Sequence, residues 1–310
     1  MITCQQISLN DNPDWDRLIN QSQTATFFQT REWLQLWSKH FPGEELILGV
    51  YEDDILIGIA PLIKRENSLQ FMAVAEVLGG NKVSDFGDII AISGREKEAW
   101  EAIINQFNNG KMDLNFIRED SPSLGILREL GGKIEEVDAA PYLELPVTWE
   151  EYLGQLDRHN RHELRRKLRK AEEAGIKIIS SDKGERTETF LRLMEISNMG
   201  KKHFLTEEMK SFFREIIKVG NVRMRYLKLE GKIIAGVMIF EFKDEYLLYN
   251  SGYDPEFSYL SPGLIIKAYA IKEAIEKEKK VFDFLRGDEK YKYDLGGKER
   301  KLYRVTISQI

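Results

Sequence analysis

Residues 222–253 constrain the fold of this chain more than any other stretch. Val222–Leu229, Lys232–Phe242 and Tyr246–Tyr253 are apolar, β-prone runs divided by the two-residue turns Glu230-Gly231 and Lys243-Asp244. That spacing predicts an antiparallel meander of three strands. A long amphipathic run, Pro262–Lys280, follows it, and Val281–Leu285 reads as a further strand. Strands and helices that alternate in this way specify an α/β (α+β) architecture.

The segment before the meander is mostly helical. Thr148–Gly175 reads as a helix, Ile176–Ser180 as a strand, and Arg186–Asn198 and Thr206–Val219 as two more helices. An earlier block has a similar order. Asp14–Asn20 and Gln29–His40 are helical, the latter with Trp33, Leu34 and Trp37 on one face. Leu46–Tyr51 and Ile55–Lys64 form strands around the acidic turn 52–54, and Ser68–Leu78 is a third strand candidate. Ile89–Ile92, the helix Arg95–Asn109, the strand Met112–Ile117 and a short helix from Pro122 to the Gly131-Gly132 pair come next. Ile134–Val137 and Tyr142–Leu145 close the block, and Leu302–Ser308 is a last strand. Both halves run helices, meander, helix, strand. A duplicated fold follows, with domains at residues 1–146 and 147–310, and 310 residues suit about two domains.

The net charge of −6 excludes a globally basic nucleic-acid binder while leaving room for a local basic patch. A single cysteine, Cys4, rules out an intrachain disulfide. The first 15 residues carry neither a basic n-region nor an apolar h-region, and Ile233–Phe240 is too short to cross a bilayer. A cytoplasmic protein without a transmembrane segment is expected.

The chemistry concentrates between Tyr246 and Tyr293. Ser261-Pro262-Gly263 opens the long helix: serine is a good N-cap, proline suits the first helical position, and Gly263 leaves the backbone uncovered. Unpaired N–H groups and the helix dipole would make Ser261–Leu264 an anion site fit for a pyrophosphate, although a plain well-capped helix has the same pattern. In the strand Val281-Phe-Asp-Phe-Leu285, alternation sets Asp283 opposite Phe282 and Phe284. A carboxylate in a buried strand needs a partner, for which Arg286 and Lys292 are at hand. Asp283 then reads as a general base or as half of a structural ion pair. Tyr291 and Tyr293 are candidate proton donors, or packed tyrosines.

From Arg158 to Lys170 there are seven Lys or Arg against one Glu, and Arg158, Arg161, Arg165 and Arg169 share a face. Such a stripe would bind a phosphorylated cofactor, a tRNA backbone or an anionic surface, or would lie solvated against Glu163, Glu172 and Glu173. The four histidines, 40, 159, 162 and 203, make no metal-ligand spacing, so no metal is expected. No nucleophile-elbow, Walker or dinucleotide motif is present. Gly79-Gly80 and Gly296-Gly297 read as turns.

Several stretches in order, Phe27-Phe-Gln-Thr-Arg-Glu-Trp-Leu34, Ile57-Gly-Ile-Ala-Pro-Leu62, Val83-Ser-Asp-Phe-Gly-Asp88, Arg161-His-Glu-Leu-Arg-Arg166 and Phe282-Asp-Phe-Leu-Arg-Gly-Asp-Glu-Lys-Tyr-Lys292, carry a resemblance. Together they resemble the tandem-domain acyltransferases of the GNAT superfamily, of the CelD-like type related in fold to the FemAB peptidyltransferases. The resemblance implies two GNAT-like domains, each a mixed, mainly antiparallel sheet flanked by helices, with the second catalytic. It implies acyl transfer from a thioester such as acyl-CoA to an amine of saccharide, peptide or small-metabolite type, in cell-envelope or exopolysaccharide metabolism. FemAB relatives take an aminoacyl group from tRNA instead, and a non-catalytic binding protein on a decayed GNAT fold is a third reading. On the acyl-CoA reading the donor pyrophosphate rests on Ser261, Pro262, Gly263 and Leu264 with help from Arg161 and Arg165. The pantetheine runs between strands 246–253 and 281–285, and the acceptor meets Tyr253, Asp283, Arg286 and Tyr291. One departure stands out: where the family has a Gln/Arg-x-x-Gly-x-Gly/Ala loop, this chain has Ser261-Pro262-Gly263 alone.

Overall fold

The computed structural model describes residues 1–310 apart from 11–12, 66–67, 75–82, 108–109, 182–183 and 310. Contacts within the chain divide it into two units, Met1–Ala139 with Arg300–Ile310, and Ala140–Glu299.

The first unit contains β1 (Ile2–Gln6), α1 (Trp15–Gln21), α2 (Arg31–His40), β2 (Glu44–Glu52), β3 (Ile55–Arg65), β4 (Ser68–Phe71), β5 (Ile90–Ala91), α3 (Glu96–Gln106), β6 (Gly110–Arg118), α4 (Pro122–Glu129) and β7 (Lys133–Ala139). Trp15, Trp33, Trp37 and Trp100 are wholly buried. Two of these indoles reach a hydroxyl: Trp33 Nε1 donates to Ser84 Oγ and Trp100 Nε1 to Ser123 Oγ. Buried Asp88 accepts from the Ser121 and Ser123 hydroxyls and from the Ile89 N–H, and burial pushes its carboxyl up to about 6. The third strand candidate ends early, because after Phe71 the chain turns into a short 3₁₀ helix, Met72–Val74. Its remainder, 75–78, and the Gly79-Gly80 turn lie outside the described residues.

The second unit begins with β8 (Tyr142–Glu144), α5 (Trp149–Gln155), α6 (Arg158–Glu173), β9 (Lys177–Ser180), α7 (Thr187–Ser197), α8 (Met199–Phe204) and α9 (Glu207–Ile216). It continues with the meander β10 (Val222–Leu229), β11 (Lys232–Phe242) and β12 (Glu245–Tyr253), then α10 (Pro262–Glu276), β13 (Val281–Asp283) and α11 (Lys290–Asp294). The helix expected over Thr148–Gly175 is two helices. Asp157 breaks it: its carboxylate accepts the N–H groups of His159 and Asn160 and starts α6 afresh.

The chain then returns to the first unit as β14 (Lys301–Gln309), which lies between β6 and β7 and completes the order β1-β2-β3-β4-β6-β14-β7, with β5 beside β3. The second sheet runs β8-β13-β12-β11-β10-β9. Two assignments made from the sequence therefore change sides. The strand at Tyr142 pairs with β13 rather than closing the first block, and the last strand belongs to the first unit rather than to 147–310. Both pairings join residues well over a hundred positions apart, beyond the reach of local pattern.

Alternation along β11 builds two cores in the second unit. Val237 and Ile239 join the cluster of α10 residues Ile265, Ile266, Ile271 and Ala274. Phe240, on the other face, stacks on Tyr249, which in turn stacks on Phe213 of α9. Gly236 and Gly252 are paired neighbours on β11 and β12. A Cβ on Gly252 would run into the backbone of α7, coming within 2.7 Å of the Leu193 carbonyl oxygen. That side chain is absent because α7 crosses the sheet there.

Gly252→Ala is therefore expected to cost about 1–3 kcal/mol through overpacking against a backbone that cannot yield. Gly125→Ala, in α4 with nothing near its new methyl, should gain about 0.5–1 kcal/mol. Urea unfolding of both variants beside the parent checks the pair.

Candidate active site

The site begins where two strands part. β12 and β13 run parallel for three residues, Glu245↔Val281, Tyr246↔Phe282 and Leu247↔Asp283. Beyond Leu247, β12 continues to Tyr253 without β13, and it carries an irregularity at Tyr249 where its register on β11 shifts. β13 stops, and the N–H of Phe284 goes to the Pro141 carbonyl instead. Phe282 and Phe284 meet edge to face with centroids 5.0 Å apart, as alternation predicts.

Asp283 is fully buried, and its Oδ1 accepts the N–H of Leu285 at 2.7 Å. That bond helps hold Leu285 in the left-handed region, φ +59°, which a branched side chain occupies only under constraint. Lys292 supplies a second restraint. Its ammonium, 1% exposed as a residue, donates to the carbonyls of Leu285, Arg286 and Gly287 at 2.8, 2.8 and 2.9 Å and pairs with Glu289 at 2.9 Å. Lys292 is thus spent on the backbone and does not serve as the counter-ion of Asp283 that the sequence suggested. Buried cations need such a full set of acceptors.

The start of α10 also differs from expectation. Ser261 precedes the helix in the left-handed conformation, φ +55°, and its side chain makes no capping bond. Its carbonyl takes the N–H groups of both Leu264 and Ile265 at 3.1 Å. Pro262 has no N–H to offer, so Gly263 carries the first-turn N–H that has no partner among the described residues. The turn offers one donor rather than the open row that was expected. Gly263 itself is required by Tyr253, whose ring would lie 3.0 Å from an added Cβ.

A cavity of about 530 Å³ opens beside this turn. Ser261, Pro262, Gly263, Leu264 and Lys267 form one wall and Tyr253 adjoins them. Tyr291, Lys290 and Asp294 of α11, with Leu295 just after it, close one side, and His159, Asn160, Glu163, Leu164 and Lys167 close it from α6. Two of its carboxylates are already neutralised, Asp294 by Lys290 at 2.6 Å and Glu163 by Arg166 at 2.9 Å. Lys167 makes no ion pair among the described residues, so the cavity keeps a net positive lining. Burial, with Glu289 nearby, pushes the Tyr291 phenol well above its ordinary range, so it stays protonated.

The structure thus brings Tyr253, Tyr291 and the Ser261–Leu264 turn together around one cavity. Asp283 and Arg286 are not on its wall, and a proton-accepting role for Asp283 in direct contact with an amine does not fit a carboxylate with no exposed surface. Tyr293 turns to Asp288, to which its hydroxyl donates. Arg161 and Arg165 are likewise elsewhere. With Arg158, His159 and His162 they line a second concave surface, which shares His159 with the cavity and otherwise lies round the far side of α6, as the 100° step per residue requires. The cavity face of that helix is the one that carries Leu164. Asn160 and Lys167 lie within one turn of it, a signal present in the apolar seam. Sequence reasoning also missed Lys267 and Lys201. Lys267 Nζ donates to the Gly263 carbonyl at 3.1 Å and lies 4.1 Å from the centroid of the Tyr291 ring. Lys201 Nζ donates to the Ser251 carbonyl. Burial lowers both ammoniums, Lys201 to about 8 and Lys267 to about 7. Among the described residues no group of side chains could hold a metal ion, and no helix is long and apolar enough to cross a membrane.

Residues 158–293 match the family model described as an acetyltransferase (GNAT) domain. That match lies within the second unit and covers 136 of the 310 residues. Solved structures extend the likeness to the whole chain as a fold. FemX is similar at a TM-score of 0.70 and 14% identity over 97% of this chain and 96% of its own. L-PGS from Bacillus licheniformis gives 0.61 and 13% over 98% and 94%. A tandem GNAT protein from the clavulanic acid biosynthesis pathway gives 0.54 and 10% over 100% and 99%. The tandem GNAT architecture expected from the sequence is the one observed. A search of curated proteins finds no match.

Replacing the buried ammonium of Lys292 tests its structural role. Lys292→Met would leave three carbonyls without their donor and is expected to cost about 3–5 kcal/mol. Thermal unfolding reads the total, and faster amide exchange at residues 285–289 would localise it.

Proposed function

We propose that the GNAT domain transfers an acyl group from a thioester donor, acyl-CoA, to an amine acceptor of saccharide, peptide or small-metabolite type. The observation that carries this reading is the Gly263 turn set on the wall of a cavity of about 530 Å³, with Tyr253 beside it at the end of β12, the strand that runs on alone after β13 stops at Asp283. The backbone of β12 beyond Leu247, which β13 no longer flanks, suits the amide groups of a pantetheine arm, since an extended ligand can continue the ladder that β13 abandons. The donor phosphates would meet the Gly263 N–H, the positive end of α10 and Lys167. In this reading α6 contributes Lys167 and His159 to the donor.

At the reacting end the amine nitrogen attacks the thioester carbonyl, a C–N bond forms and the C–S bond breaks. Tyr291 and Tyr253 present phenols to that region. A phenol held protonated stabilises a departing thiolate by donating a hydrogen bond rather than by ionising. Asp283 and Arg286 act as positioning residues: they belong to the strained strand end from which α11 and Tyr291 are hung.

A second reading is favoured by one observation. Arg158, His159, Arg161, His162 and Arg165 line a concave surface with no acidic side chain among its described residues. An aminoacyl-tRNA donor, as in the FemAB transferases, would find its backbone charge met there.

Isothermal titration against acetyl-CoA and longer acyl-CoAs separates the two. On the first reading one of them binds, Gly263→Val abolishes binding by displacing the Tyr253 ring into the cavity, and Lys167→Ala weakens it about 5- to 10-fold, the loss of one bond to a charged group. The double variant Arg161→Ala, Arg165→Ala leaves it unchanged. If no acyl-CoA binds the folded protein, while tRNA is retained at low salt and released by that double variant, the second reading replaces the first.

A further inference from the structure

We propose that Lys267, through Nζ, is the proton acceptor for the attacking amine, a role that rests on the acyl-transfer reading above. An amine enters from water as an ammonium and must lose a proton before it can attack. The carboxylates of the site are poorly placed for this: Asp283 is sealed off, and Glu163 and Asp294 are each held by a cation. His159 stands exposed at the first turn of α6. Lys267 is 9% exposed, lies on the cavity wall one helical turn after Gly263, and points its nitrogen between the Gly263 carbonyl and the face of Tyr291.

The surroundings of Nζ make it a base that can both hold and release a proton. Burial disfavours its charged form, and the ammoniums of Lys201 and Lys292 add repulsion. Glu289, the opposing carboxylate, is bonded to Lys292. Against these, the Gly263 carbonyl and the Tyr291 ring both welcome an N–H. Across the cavity, Lys167 adds one more positive charge. The balance leaves Lys267 at about 7, so a large fraction is neutral at physiological pH.

The proton inventory closes. The acceptor ammonium gives one proton to the neutral Lys267 amine, and the freed amine forms the C–N bond. As the C–S bond breaks, a second proton of the nitrogen passes to the thiolate, which the Tyr291 hydroxyl meets with a hydrogen bond, giving the thiol. The third stays on the amide. Lys267 returns its proton to water, so one proton is released per turnover.

The test uses the full chain with whichever acyl-CoA binds and glucosamine or a lysyl peptide as acceptor. The rate should rise with pH through an inflection near 7. In Lys267→Arg and Lys267→Met alike the inflection should vanish, with a 10²- to 10⁴-fold loss at pH 7, the usual yield of general base catalysis. His159→Ala should keep it. If the arginine variant retains activity, the lysine acts as a cation and the proposal falls, as it does if the inflection follows His159. The same holds if the inflection survives in a folded Lys267 variant, which would leave the acyl-transfer reading standing. A second readout is independent of turnover. After reductive methylation with ¹³C-formaldehyde, the Lys267 signal should titrate near 7, and titration with the surface lysines near about 10.4 overturns the proposal by itself. A protein that binds an acyl-CoA yet transfers nothing to any amine overturns both readings together.

Discussion

Three carbonyls in succession, those of Leu285, Arg286 and Gly287, converge on one ammonium, and the geometry of the site follows from that. Backbone oxygens that point the same way repel one another and must be satisfied when buried. Lys292 satisfies all three, and this holds the chain as it leaves β13 in a turn that includes Leu285 at φ +59°. Because Lys292 belongs to α11, the same bonds fix that short helix, and with it the placement of Tyr291 one residue earlier. A five-residue helix has little stability of its own. Here it is held by its contacts with the turn.

Much of this was readable from residue order. The meander appeared through its turn residues, and Glu230, Gly231 and Lys243 do adopt positive φ. The helix over residues 262–276 appeared through its Pro-Gly start. The Ser261–Leu264 turn singled out there lines the cavity. What escaped were relations set by distance in the chain. One partner of Asp283 is the backbone N–H two residues ahead, and sequence alone cannot distinguish a carboxylate that bonds its own turn from one that serves a substrate. The exchange of β8 and β14 between sheets depends on pairings such as Thr306↔Asp113, which leave no local trace.

The basic helix illustrates a different kind of miss. Charge counting identified α6 correctly but weighted its densest stripe, Arg158, Arg161 and Arg165. Leu164, 2% exposed, decides which way the helix faces, and the residues a turn from it inherit the cavity. The arginines then face the other way. One helix thus presents two chemically distinct faces, one to the cavity and one to a shallower, arginine-lined surface. Lys267 was overlooked for the opposite reason: a lone lysine in the apolar run Gly263-Leu-Ile-Ile-Lys-Ala-Tyr-Ala270 reads as a snorkelling side chain. Its nitrogen is turned inward instead.

The return of the last strand has a consequence for synthesis. β14 fills the place between β6 and β7, which otherwise present two unpaired edges. During translation those edges exist for as long as it takes to make the entire second unit, some 160 residues from Ala140 to Glu299. Open strand edges are templates for wrong partners. A nascent chain of this kind has its second globule able to close while its first still waits, so the half made earliest is the half completed last.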